Sequence, residues 1–582
     1  MSDGAGAGSA AYDAREHASR AHVTSRPITL VEALEALPAT PGRGFRFRAL
    51  DGSERSFQWR ELVREVRRRG ALLLAAGLCK GDRLTIAISE PQEFVLTFLG
   101  AVVAGIVPVP VYPPSGFKAK SSYLDSVAHV VRAARARALV TLAASAAAFG
   151  QLREQAPELE PLLIAEDLFR VDKVPAEPVR FDRIEPDDLC FLQFTSGSTS
   201  MPKGVMVSHR NLIANADAFL GPQGAARRED DVTVTWLPLF HDMGLVGFVL
   251  GTLVHEIPTV LLPTEAFARR PTIWMQAMHD YRATITFAPN FAYALVAKRS
   301  RDKDLEGLDL SRIRIAGCGA EPINPRVLRA FVDRFNRAGF EASALMPSYG
   351  MAEATLAISF HPHGTPVVTD RVSAAAIKRC EATPAAPAED SIELVSCGRA
   401  FPGHAVEIVD EHGRVLPERE IGEIRTRGPS VTAGYHDDPV ASLESFHDGW
   451  LHTGDLGYLA DGNLYICGRI KDLIIIRGAN FYPQDIERCV ADLPSLRRDN
   501  VVAFSVMERG EETLVIAAEG NASDALELRK AIADKIAATL GLATERVAVV
   551  RVGSLPKTSS GKVQRRRTKQ LFEQDLLEEQ RG

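Results

Sequence analysis

At 582 residues with a formal net charge of -6, the chain is too long for one ordinary hydrophobic core and carries no whole-chain basic signal. At least two domains and no nucleic-acid partner are therefore expected. Hydrophobic residues at 46% and charged residues at 24% exclude wholesale disorder and leave ample material for buried sheets. The 7 cysteines are odd in number and contain no CxxC pair, so neither a disulfide framework nor a zinc site is expected, and a reducing, cytoplasmic setting is the reading.

In chain order, the opening MSDGAGAGSAAYDAREHASR has no basic leader followed by an apolar run, so no secretory signal is expected and residues 1–28 read as a flexible tail. Residues 94–111 (FVLTFLGAVVAGIVPVPV) are long and uncharged enough to raise a membrane span. Gly100, Gly105, Pro108 and Pro110 divide the stretch into a buried helix and then a strand, so no transmembrane segment is expected. Strand-like runs alternate with helical patterns from about Thr29 to Leu262, as in LTIAISE, PQEFVLTFLGAVVAG and IVPVPVY, which predicts parallel α/β sheets. TITFAP, RIRIAGCGA and SALMPSYG repeat the pattern, and ligands in such sheets gather at the carboxyl ends of strands. After Ser391 the texture turns to hairpins in HAVEIVDEHGRVLPEREIGEIRTRG, which predicts a small β subdomain. LIIIRG, NVVAFSV and TLVIAAEG with the amphipathic ALELRKAIADKIAATL predict a smaller α+β domain over about 470–582. The Ala/Pro-rich stretch 380–390 reads as a surface loop.

Residues 191–207 (FLQFTSGSTSMPKGVMV) predict strand, loop and strand. Glycines such as Gly197 let backbone N–H groups close on an anion, the hydroxyls of Thr195, Ser196, Ser198 and Thr199 can donate, and Lys203 supplies charge, so the loop suits phosphate. A lone Ser/Thr/Gly turn would more often be plain surface, but the ordered TSGSTxxPKG arrangement favours the anion reading. It is not a Walker A loop, since Lys203 precedes Gly204.

TSGSTSMPKG resembles the phosphate loop of the adenylate-forming superfamily, which includes acyl-CoA synthetases, luciferases and peptide-synthetase adenylation domains. CGAEPI (318–323), SYGMAEATL (348–356), GEIRTRGPSVTAGY (422–435), HTGDLGYL (452–459), GRIKDLIIIRG (468–478) and LPKTSSGKVQRR (555–566) follow in that family's order. The resemblance implies an α/β architecture: a large adenylate-forming domain over 29–469, of parallel sheets plus a β subdomain, and a small mobile α+β domain over 470–582. It also implies ATP and Mg2+ as cofactors. By the same resemblance Tyr349, with Gly350 and Met351, lies against adenine, and the backbone of Gly319, Ala320 and Glu321 runs beside it. Glu353 would offer a hard carboxylate to Mg2+. Asp455, read as sitting in a tight glycine-flanked loop, would accept from the ribose hydroxyls, and Arg469 would hold ribose or phosphate. Lys562 is the expected catalytic residue: a carboxylate attacking the α-phosphate approaches a polyanion, so a cation bridging both lowers the barrier most. The neighbouring Arg565, Arg566 and Arg567 either steer an acidic partner towards the site or form a solvated run, and the second reading is slightly favoured. Lys471 matches the family's hinge residue.

Three features point to fatty acyl-AMP ligases, which pass the acyl group to the phosphopantetheine of an acyl carrier protein, or of a carrier domain of a polyketide or peptide synthase. They are YPQDIE at 482–487, LPLFHDMGL at 237–245, and a stretch at about 361–395 long enough to match the insertion that separates this branch from the CoA ligases. A fatty acyl-CoA ligase and a catalytically silent nucleotide-binding relative are the rival readings. Ser200 departs from the Gly of many CoA ligases. Phe240 and His241 would border the fatty acid site. Gly244, Gly247 and Gly251 recur on a predicted helix, where they either leave room for an acyl tail or serve close packing.

Overall fold

The sequence patterns above become elements in a computed structural model that describes residues 26–580 apart from 115–120, 151, 153–155, 157–158, 160, 174–178, 196–200, 477–478, 492, 494–495, 497–499, 509–510, 522, 524, 543, 545 and 558–562. Among the described residues, six strands run parallel in the order Leu345–Gly350, Ile315–Cys318, Ile285–Ala288, Thr233–Thr235, Thr259–Leu261 and Gly44–Arg48. Antiparallel strands Ala357–Phe360 and Arg399–Ala400 extend one edge, and Glu54–Gln58 closes the other. Both faces of a parallel sheet must be covered, and the apolar runs of TITFAP and RIRIAGCGA match that burial.

A second parallel sheet orders Val107–Pro110, Arg83–Ala87, Ala138–Thr141 and Leu162–Ile164. Pro108 and Pro110 cannot donate to a ladder, and Val107–Pro110 is accordingly the edge strand. The apolar run before it is the helix Pro91–Val103, capped by the Glu90 side chain and started by Pro91, buried along nearly its whole length. No helix among the described residues is long and apolar enough to cross a membrane.

The β subdomain is a twisted sheet of Ala405–Val409, Gly422–Arg427, Trp450–Ala460, Phe446–His447 and Asn463–Arg469. In the smaller C-terminal region, Val501–Glu508 pairs antiparallel with Glu511–Gly520, which pairs parallel with Arg546–Arg551. Successive residues of the first strand serve opposite faces: Val501 and Ala503 pack with Ile486, Ile532 and Ile536, while Val502, Phe504 and Val506 join Val550 and Leu555. The helix Ala525–Leu540 has the bounds the sequence pattern predicted.

The stretch 361–395 contains the antiparallel pair Thr369–Ser373 and Ser391–Val395. The loop between them is tied to the β subdomain, Ile421 N donating to Cys380 O (2.8 Å) and Ala382 N to Arg419 O (2.7 Å). It also reaches the C-terminal region. Asn480 N donates to Lys378 O (3.2 Å), and Lys378 Nζ donates to the carbonyl of Leu540 (3.4 Å), at the C-terminal end of the Ala525–Leu540 helix, where the helix dipole favours a cation.

Candidate functional site

A cleft of about 2230 Å³ opens where the parallel strands end, and residues of the large domain (Tyr349, Asp455, Arg469) and of the C-terminal region (Pro556, Lys557, Arg565) both line it. Tyr349 lies near the end of the Leu345–Gly350 strand, and its hydroxyl donates to Asp455 Oδ2 (2.7 Å), while Arg469 Nε donates to Asp455 Oδ1 (2.9 Å). Burial holds the Tyr349 phenol protonated far above its ordinary range.

Asp455 does not sit in a loop, contrary to the reading of its flanking glycines. It lies within the strand Trp450–Ala460 and pairs in register with Arg469 on Asn463–Arg469. The glycine is needed for another reason: Gly454 takes φ +69° beside an irregularity in the pairing with Gly422–Arg427. Glu423 secures that irregular point, accepting from Gly454 N (3.1 Å) through Oε1 and lying 2.9 Å from His452 Nδ1 through Oε2.

Glu353 follows Tyr349 in a short 3₁₀ turn, Ala352–Ala354, and is buried. Burial pushes its carboxyl above the usual glutamate range, although the Tyr435 hydroxyl donates to Oε1 (2.8 Å). Tyr435 is itself placed by the strand after the phosphate loop, since Met206 N donates to Gly434 O (3.1 Å) and His436 N to Gly204 O (2.8 Å). Lys203 Nζ stands 4.8 Å from the Tyr435 ring centre. The loop starts and ends as predicted, on the hairpin Leu189–Phe194 and Gly204–Ser208, with Thr195 N donating to Lys203 O (3.0 Å). Ser196, Gly197, Ser198 and Thr199 lie outside the described residues, as does Lys562.

Ala320 and Glu321 line the cleft, Ala320 with φ +65°, and Glu321 Oε1 accepts from Phe291 N (2.6 Å). At Gly319 packing requires glycine, since a Cβ there would stand 2.5 Å from Ser348 Oγ on the adjacent strand. Gly350 and Met351 line the cleft with Phe240 and His241. His241 Nδ1 lies 2.5 Å from Asp242 Oδ1, and the Phe240 ring meets Tyr112 edge-on at 5.2 Å. Beyond them the cleft continues among apolar side chains that include Phe248, Phe287 and Phe360.

Lys471 is exposed in the turn Ile470–Asp472, directly after Arg469. In the basic run after Lys562, Arg567 is exposed, but Arg565 and Arg566 are not simply solvated. Arg565 bonds to Asp472 Oδ2 (3.2 Å), Glu487 Oε1 (2.7 Å) and the carbonyl of Ala503 (3.0 Å), and Arg566 Nε lies 3.6 Å from Asp472. Sequence reasoning missed this anchor, and it missed Tyr435 and Glu423, which stand inside quoted motifs without a role. It also missed Thr355, a buried β-branched residue at φ +69°, ψ -54°. Leu356 N donates to Ala354 O (2.8 Å) around it, a γ-turn, and its Oγ1 donates to Ser430 O (2.7 Å).

A parallel α/β sheet carrying such a cleft at its carboxyl edge, with a smaller region closing over it, is the architecture of an adenylate-forming ligase. The chain belongs to the AMP-binding enzyme family, whose model matches residues 39–436. A model described as the AMP domain of Disco-interacting protein 2-like proteins matches residues 471–581. Among relatives, a Caulobacter vibrioides protein provisionally named acyl-CoA synthetase is 35% identical, covering 94% of this chain and 95% of the relative. The medium-chain-fatty-acid–acyl-carrier-protein ligase JamA of Moorena producens is 34% identical, covering 90% and 91%. A solved structure from work on fatty acyl-adenylate ligases of E. coli and L. pneumophila superposes with a TM-score of 0.87 at 34% identity, covering 94% of this chain and 98% of that one.

Proposed function

We propose that this protein activates a fatty acid as its adenylate and hands the acyl group to the phosphopantetheine thiol of a carrier protein or carrier domain. In the first step a carboxylate oxygen attacks the α-phosphorus of ATP, the bond to the β-phosphate breaks, and pyrophosphate leaves. In the second the carrier thiol, giving up its proton, attacks the acyl carbonyl, and AMP leaves with the carboxylate oxygen. The observation that carries the reading is a single cleft joining a polar end, where Tyr349, Asp455 and Arg469 are bonded together, to an apolar one lined by Phe248, Phe287 and Phe360.

Asp455 would accept from the ribose hydroxyls, Tyr349 and the backbone at Ala320 and Glu321 would flank adenine, and Lys203 with the 195–199 loop would hold the phosphates. Lys562 would bridge the two anions at the reacting centre. Mg2+ fits the donor set. No group of three or more His, Cys, Asp or Glu that could hold a metal occurs among the described residues, which suits an ion held by phosphate oxygens and one or two carboxylates. Glu353 would supply that carboxylate: it is buried, bonded through Oε1 to Tyr435, and in no ion pair among the described residues. Bound there, Mg2+ would screen the phosphate charge.

The carrier rather than CoA as acceptor is supported by the 361–395 segment, which fastens Lys378 and its neighbours to the C-terminal region and so resists the rotation a CoA-productive arrangement needs. The Caulobacter relative's name favours the alternative, a fatty acyl-CoA ligase. Mass spectrometry of products formed from one fatty acid and ATP, with either CoA or a holo carrier protein, separates them. Acylated carrier with little acyl-CoA is expected. Efficient acyl-CoA formation removes the carrier preference, and absence of any fatty-acid-dependent pyrophosphate release removes adenylation itself.

A further inference from the structure

The helix after His241 runs as Asp242–Leu245, then a widened π-helical segment Val246–Leu250, then Gly251–Val254. It contains three glycines, each of which weakens a helix relative to alanine and so calls for a cause. Gly244 has one, since a Cβ there would stand 2.3 Å from the Pro238 carbonyl oxygen. Gly251 has one too, because its Cβ would enter the Phe219 ring at 2.4 Å. Gly247 has neither a clash nor a left-handed backbone: a Cβ would meet only Leu356 Cδ2, at an ordinary 3.5 Å.

What Gly247 faces is the cleft, which it lines with Phe248, Thr252 and Leu356. π-helical turns recur at functional sites, where the extra residue re-aims the surface of a helix. From here the space extends to Thr233 and Ile285, the first residues of their strands, so it traverses the sheet from its carboxyl end to its amino end. Its floor is firm: Arg314 Nη1 donates to the carbonyl of Ala225 (2.7 Å) and pairs with the buried Asp231. A four-residue strand such as Ile285–Ala288 spans about 10 Å between end residues. A straight alkyl chain advances about 1.3 Å per carbon, so roughly eight carbons fit along that strand before the carboxylate emerges at the nucleotide end.

We propose that Gly247 is a specificity-determining residue which keeps this passage open, and that the acid it admits is a straight-chain one of medium length. The inference rests on the adenylating reading and adds the substrate class to it. The test uses the full chain and compares wild type with Gly247→Leu and Gly247→Ala on butanoic, octanoic, dodecanoic and hexadecanoic acids. Fatty-acid-dependent pyrophosphate release is read alongside calorimetric binding of dodecanoic acid without nucleotide.

Wild type is expected to favour octanoic or dodecanoic acid. In Gly247→Leu their kcat/KM falls roughly a hundredfold while butanoic acid and the KM for ATP hold within about threefold. Gly247→Ala melts no lower than wild type, because the added methyl fits and the helix gains propensity. An unchanged chain-length profile in Gly247→Leu, an equal loss for every acid, or a lower melting temperature for Gly247→Ala overturns the proposal. If no acid supports pyrophosphate release, yet dodecanoic acid binds wild type and not Gly247→Leu, the adenylating reading falls and the passage stands.

Discussion

The two ends of the cleft are stabilised in opposite ways. At the nucleotide end the polar side chains are bonded to one another: Tyr349 to Asp455, Asp455 to Arg469, Tyr435 to Glu353. At the acyl end the wall is apolar, and the one position without a packing cause for its residue type, Gly247, faces open space. Removing a member of the polar end leaves a buried partner unsatisfied, which costs more than the lost bond itself. Altering the apolar end changes volume only. The polar end should therefore govern rate and nucleotide affinity, and the apolar end should govern which acid is used.

The largest expected effect sharpens that division. Lys562→Ala should lower the rate of adenylate formation on the order of a thousandfold while ATP binding, followed by calorimetry, stays largely intact. Near-normal turnover would remove Lys562 from the chemistry. Next comes Asp455→Ala, which takes the acceptor from both the Tyr349 hydroxyl and Arg469. The KM for ATP should rise about thirtyfold with the chain-length profile unchanged, and a shifted profile would break the separation of the two ends. The smallest is Tyr435→Phe, which keeps the ring under Lys203 but removes the donor to Glu353. Its requirement for Mg2+, measured by pyrophosphate release and by the thermal stabilisation that Mg·ATP confers, should rise about tenfold. A hydrogen bond to a carboxylate favours its charged form, so without it the Glu353 carboxyl, already raised by burial, rises further. The Mg2+ requirement of the variant should then climb as pH falls, at pH values where wild type is unaffected. An identical pH dependence in the two proteins would show that the phenol does not act through Glu353.

Much of the fold was legible because it depends on local patterns. Arg83–Ala87, Pro91–Val103 and Val107–Pro110 fall where apolar runs, a proline start and a glycine stop put them. What was not legible depends on partners far apart in the chain. Arg565 looks like part of a solvated basic run until Asp472 and Glu487, separated from it by 93 and 78 positions, close around it. Tyr435 meets Glu353 across 82 positions. Asp455 was misread for a local reason: the glycines of HTGDLGYL look like loop residues, whereas Gly454 gives an irregular step inside a continuous strand. Gly244, Gly247 and Gly251 were visible, but spacing alone does not say which of them a neighbour fills.

The register that sets Asp455 opposite Arg469 has a mechanical meaning. Arg469 ends its strand, and Lys471 stands in the turn that leads into the C-terminal region. A swing of that region about Lys471 would have its axle beside Asp455, the proposed ribose contact, where even a wide angle produces little travel. The enzyme could then exchange one reacting face for another while AMP stays seated between its two half-reactions.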